Sequence, residues 1–129
     1  MNSIEEAYQV IAENLVSRVS GHWMLVTFQT KILNRNCSSM TTTELGNNAE
    51  KHFLSLGMVG ALAVDDACIF LRDNLLATTG QRIWGLIFTL YPDGKFNIEY
   101  DYNKPEGYEE SDETITLEEA LKGLPITKS

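Results

Sequence analysis

An α+β fold is predicted for this chain of 129 residues: an antiparallel sheet of four to five strands with helices packed on one face. Three observations lead there. Ile4, Tyr8, Ile11, Leu15 and Val19 step by three and four, which lines one side of a helix. Trp84, Leu86, Phe88 and Leu90 alternate, and so do Phe96, Ile98, Tyr100 and Tyr102, as the two arms of a hairpin with one buried face require. Finally, Thr27, Gln29 and Lys31 on one strand and Asn97, Glu99 and Asp101 on another are polar outer positions, so one side of the sheet faces water.

The elements follow in order. A helix runs over 3–19, with Ser3 as its cap, Glu6 completing a capping box and Gly21 as the exit. Trp23 to Leu33 switches to period two, with Met24, Val26, Phe28 and Ile32 facing inward. Asn34-Arg35-Asn36 turns the chain into a threonine-rich second strand near 37–45, whose apolar face is not evident. Residues 49–60 are ambiguous, since His52 to Leu56 suits a short strand or a helix start. From about Ala61 to Thr79 a second helix puts Val64, Ala67, Cys68, Leu71 and Leu75 on one side, and Gly80 stops it. Pro92-Asp93-Gly94 closes the last hairpin, because proline presets φ, aspartate bonds its own backbone and glycine accepts positive φ. A short helix over 116–122 ends the order α-β-β-(β)-α-β-β-α. No repeat or linker divides the chain, so residues 1–129 are read as one domain.

Composition narrows the function. The net charge of −8, with a pI near 4.6, opposes direct binding of nucleic acid or anionic membranes, which needs clustered Lys and Arg. It suits a cationic partner, or simple solubility. Cys37 and Cys68 make no framework pattern; one bridge between them is compatible with the sequence, but Cys68 falls inside a helical apolar pattern, where a buried thiol is the plainer reading. No basic and then apolar leader opens the chain and no apolar run is long enough for a bilayer, so a cytoplasmic location is expected.

Catalytic and metal constellations are not evident. His22 sits at a strand entrance, and His52 has no Cys or carboxylate at ligand spacing. Asp65, Asp66 and Asp73 read better as a solvated helix surface than as a cation site. Asp101, Asn103 and Asp112 superficially match an EF-hand, but Pro105 holds a ligand position and Glu106 stands where the sharp turn needs glycine. Gly57-Met58-Val59-Gly60 lacks the lysine of a phosphate loop. Neither an enzyme nor a cofactor is expected.

The informative stretch is the last hairpin and its sequel. Glu99, Asp101, Glu106, Glu109, Glu110, Asp112 and Glu113 crowd one strand end and its exit, opposed by Lys104 alone and bordered by Tyr102 and Tyr108. Like charges at that density repel one another, whereas tyrosine mixed with exposed carboxylates is a common interface composition. These nine residues, Glu99, Asp101, Tyr102, Glu106, Tyr108, Glu109, Glu110, Asp112 and Glu113, are the expected partner-binding surface.

The N-terminal helix, Trp23 opening a strand, a late strand at Trp84, Gly94-Lys95-Phe96 and Tyr100-Asp101-Tyr102 occur in an order that resembles the YezG-like family of toxin-immunity proteins. The specific part of the likeness spans 84–102. Residues 46–64 are more apolar and glycine-rich than the family pattern, and Leu117 to Leu121 stand where it has a tryptophan-containing helix. The resemblance implies an antitoxin role: binding a cognate polymorphic or contact-dependent growth inhibition toxin domain in the cytoplasm, often a basic nuclease, and blocking it. Either a monomer or a homodimer is compatible with that role. The alternative is a chaperone of the type III secretion kind, which has a similar element order and holds an extended effector segment along apolar patches.

Overall fold

The computed structural model describes residues 1–19, 21–34 and 36–106. Their order is α1 (Ile4–Val16), β1 (Trp23–Ile32), β2 (Cys37–Gly46), β3 (Lys51–Phe53), α2 (Gly57–Thr79), β4 (Gly85–Leu90) and β5 (Phe96–Asp101). Among the described residues the five strands form one antiparallel sheet in the order β3-β2-β1-β4-β5, with β3 and β5 outermost. The expected α+β architecture is therefore present. The helix expected over 116–122 lies outside the described residues.

Both helices and the inner side of the sheet share one core. Ala7, Ile11 and Leu15 from α1 and Val64, Ala67, Cys68 and Leu71 from α2 meet Val26, Phe28, Ile32, Leu86, Phe88 and Leu90. Fully burying a side chain of this size stabilises by about 1.5–3 kcal/mol. Register stacks these residues across the strands: Phe28 opposes Phe88 and Phe88 opposes Ile98, while Val26 opposes Leu90 and Leu90 opposes Phe96. Phe88 and Phe96 also stack, with ring centroids 4.9 Å apart.

The helix termini follow local chemistry. Ser3 Oγ accepts the Glu6 N–H at 3.1 Å, and the Glu6 carboxylate reaches back to the Asn2 N–H at 2.7 Å, one residue before the usual capping-box partner. α1 ends at Val16, three residues short of the expected Val19. Bonds from Arg18 N–H to Leu15 O and from Val19 N–H to Val16 O tighten the last turn away from α geometry. Gly80, at φ 79°, closes α2 and donates to Leu76 O.

Two bulges change which residues face the core. Between Trp23 and Leu25 β1 holds an extra residue, so parity flips: Trp23 packs on the core and Met24, expected inside, is 47% exposed. Between the pairs Gln29–Thr41 and Lys31–Ser38 the extra residue lies in β2, where Ser39 adopts φ 55°. The inner face of β2 thus runs Glu44, Thr42 and Met40 and then, past the bulge, Cys37. Thr30 Oγ1 donates to Ser38 O at 3.0 Å, satisfying a carbonyl at the irregularity.

α2 starts at Gly57 rather than near Ala61, and the ambiguous segment resolves into β3 followed directly by the helix. Gly57 is required there: its φ is 73°, and an added Cβ would lie 2.6 Å from the Arg18 guanidinium. That guanidinium donates to Leu56 O at 2.7 Å, tying the end of α1 to the start of α2. Farther along α2, Arg72 donates to Leu33 O at 2.6 Å and to Asn34 O at 2.9 Å, so the helix also holds the β1–β2 turn. Among the described residues no helix is long and apolar enough to cross a membrane.

Candidate functional surface

Both described helices pack on one side of the sheet, so among the described residues no element covers the other face. Cross-strand register sets out its rows: Thr43, Thr27, Thr89 and Asn97; Thr41, Gln29, Ile87 and Glu99; Ser38, Lys31, Gly85 and Asp101. Toward β3 the face turns apolar, where Leu25 and Leu45 adjoin Thr27, Thr43 and Lys51, and Phe53, opposite Thr43, is 82% exposed. Toward β5 it becomes acidic. One sheet surface therefore combines an apolar corner, a central band of threonines and a carboxylate edge.

A depression of about 310 Å³ lies at the acidic end, lined by Gln29, Lys31, Gly85, Ile87, Glu99 and Asp101. Gly85 makes it. An added Cβ at that position would lie 2.8 Å from Thr30 O, so the close approach of β4 to β1 tolerates only glycine, and the missing side chain leaves the hollow.

The sequence-predicted residues divide into two sets. Glu99 and Asp101 are exposed on the outer face of β5 and share the depression. Tyr102 is 51% exposed and meets Tyr100 edge-on at 6.4 Å. Glu106 is exposed on the exit segment. Asp101 has a second duty, since Oδ1 accepts the Asn103 N–H at 2.9 Å and turns the chain out of the strand. Tyr108, Glu109, Glu110, Asp112 and Glu113 lie outside the described residues.

The aromatic seam behind β5 is stronger than alternation alone suggests. Tyr8 and Tyr100 hydroxyls hydrogen-bond at 2.6 Å, and Tyr8 packs on Phe96 with centroids 5.3 Å apart. Burial, then the bond to Tyr8, raises the Tyr100 phenol far above its ordinary range. This clamp fixes the edge strand against α1, and its neighbours Glu99 and Asp101 project from a braced backbone. Trp84, expected as a strand residue, precedes β4. It carries the Arg82 guanidinium 3.8 Å from its ring centroid, and Ile83 is the buried residue instead.

Of the helical aspartates expected on a solvated surface, Asp66 is exposed, whereas half-buried Asp65 and exposed Asp73 each hold a structural partner. Asp65 accepts the Cys37 N–H at 2.6 Å, and Asp73 pairs with Arg72 at 2.9 Å. Among the described residues no group of three or more His, Cys, Asp or Glu side chains converges as a metal site, and His22 and His52 are both exposed. No protein-family model matches the chain, and neither does any curated protein.

Proposed function

We propose that this chain is an immunity protein that binds a cognate toxin domain through the open face of its sheet and neutralises it by occupying a basic surface. One observation carries the reading. Among the described residues, the sheet face opposite both helices bears exposed Glu99 and Asp101 along a braced outer strand, in a chain of net charge −8. The resemblance of residues 84–102 to YezG-like immunity proteins points the same way.

The chemistry of such a pair is complementary. A nuclease toxin holds phosphate with Lys and Arg, and carboxylates on an inhibitor attract that surface, steering the encounter and raising the on-rate. The apolar corner at Leu25, Leu45 and Phe53 supplies the area that slows dissociation, because desolvated apolar contacts dominate affinity whereas rim charges mainly set the rate of arrival. The role is stoichiometric binding, with no catalytic group. The direct test is co-expression with the toxin domain encoded immediately upstream of this gene. A stable complex and rescued growth are expected; absence of both would overturn the proposal.

A second reading rests on a separate observation. Met58 and Val59, 80% and 82% exposed, together with exposed Leu62, give the start of α2 an apolar surface. That suits a secretion chaperone holding an extended effector segment. Light scattering of the chain purified from a secreting strain separates the two readings, since a dimer retaining an effector segment favours the chaperone.

A further inference from the structure

Cys37 opens β2 and Cys68 lies midway along α2, yet three independent features bring them together. The bulge at Ser39 flips strand parity, which turns Cys37 to the helix side of the sheet; in unbroken register it would face the open side, away from α2. The Cys37 N–H is bonded to the Asp65 carboxylate at 2.6 Å, and Cys68 follows Asp65 by one helical turn on the same face. Cys37 packs against the core cluster to which Cys68 belongs, and its thiol is near enough to raise the Cys68 pKa. Both are free thiols, Cys37 half-buried and Cys68 fully buried.

We propose that Cys37 and Cys68 form an oxidisable dithiol that reacts with hydroperoxides and closes into a disulfide linking the sheet to α2. In the first step Cys37, which solvent can reach, attacks the peroxide. With hydrogen peroxide, the O–O bond breaks, a sulfur–oxygen bond forms between Cys37 and one oxygen, and the other oxygen leaves with the Cys37 proton as water. In the second step the Cys68 sulfur attacks the Cys37 sulfenic acid: the sulfur–oxygen bond breaks, the sulfur–sulfur bond forms, and hydroxide leaves with the Cys68 proton as a second water. Each sulfur gives up one electron and the peroxide takes both.

The environment sorts the two roles. The adjacent Cys37 thiol, followed by burial, holds the Cys68 thiol protonated well above the ordinary thiol range, so Cys68 is the resolving group. This inference is independent of the immunity reading and concerns the opposite side of the sheet from the proposed docking face.

The test uses the full chain and hydrogen peroxide at a few-fold excess, with a thiol-alkylating quench and intact mass. The wild type is expected to lose about 2 Da, reversibly with dithiothreitol, and its melting temperature to rise by roughly 5–10 °C, since the link closes a long loop. Cys68→Ala should instead gain oxygen on Cys37, and Cys37→Ser should leave the buried Cys68 unmodified. The wild-type mass decides the matter even if a variant folds poorly. A gain of oxygen without loss of hydrogen, or bridging only between separate chains, would overturn the proposal.

Discussion

Replacing Gly85 with alanine probes the close approach that shapes the candidate surface. The new Cβ would stand 2.8 Å from Thr30 O, 3.6 Å from the Lys31 Cα and 3.7 Å from the Asp101 Cβ. The first of these is a clash with backbone, which cannot rotate aside, so β1 and β4 must part by roughly half an ångström. Overpacking of this kind costs about 1–3 kcal/mol, and the reduced freedom of the unfolded chain returns about 0.4–1 kcal/mol. A net loss of about 1–2 kcal/mol is expected. At this chain length that lowers the melting temperature by roughly 3–10 °C. Urea titration followed by tryptophan fluorescence and circular dichroism should show an earlier midpoint with an unchanged slope. A midpoint equal to or above the wild type would refute the claimed approach of β4 to β1, and with it the origin of the depression.

The remaining predictions concern the scaffold. Gly60→Ala is the contrasting case: its Cβ would meet the Asn14 Oδ1 at 3.1 Å, the end of a side chain that can yield, and helix propensity favours alanine. Stability within about 0.5 kcal/mol of the wild type is expected, and a loss above about 2 kcal/mol in the same titration would contradict that reasoning. Tyr100 gives a pH signature. Its folded pKa is raised by burial and the Tyr8 bond, so its contribution is complete below the unfolded value of 10.0 and falls as pH rises above it. Wild-type stability should therefore decline between pH 9 and 11 more steeply than that of Tyr100→Phe, and parallel curves would remove Tyr100 as the cause. Arg72→Lys should cost about 1–3 kcal/mol by equilibrium unfolding, because one ammonium cannot reproduce the guanidinium fork that reaches Leu33 O, Asn34 O and Asp73 together.

The parts of this fold legible in sequence are those where one local rule acts without interruption. Leu86, Phe88 and Leu90 alternate across an unbroken ladder, and Gly94 closes its turn as expected, at φ 88° with Gly94 N–H bonded to Tyr91 O. The inner face of β2 was illegible because a bulge is a change of parity, and Ser39 carries none of the glycine signal that usually marks one. Met24 and Trp23 exchange faces for the same reason. The start of α2 is hidden because Leu56 caps it without a side-chain bond; Arg18, far away in sequence, supplies the partner for its carbonyl. Of the site, Glu99 and Asp101 follow from strand alternation. The depression beside them depends on the pairing of β1 with β4, two strands separated by more than fifty residues. The partnerships Tyr8–Tyr100 and Cys37–Asp65 are likewise long-range, and only the assembled sheet brings them together.

The role assigned to the open sheet face is tested most directly by stopped-flow association with the upstream-encoded toxin domain, from low to high salt. Glu99→Gln combined with Asp101→Asn removes two charges while the asparagine keeps the acceptor that bonds the Asn103 N–H. The account predicts association slower by roughly five- to ten-fold at low salt, a flatter dependence on ionic strength and little change in the dissociation rate. An association rate and salt dependence identical to the wild type would contradict it and place the docking surface elsewhere.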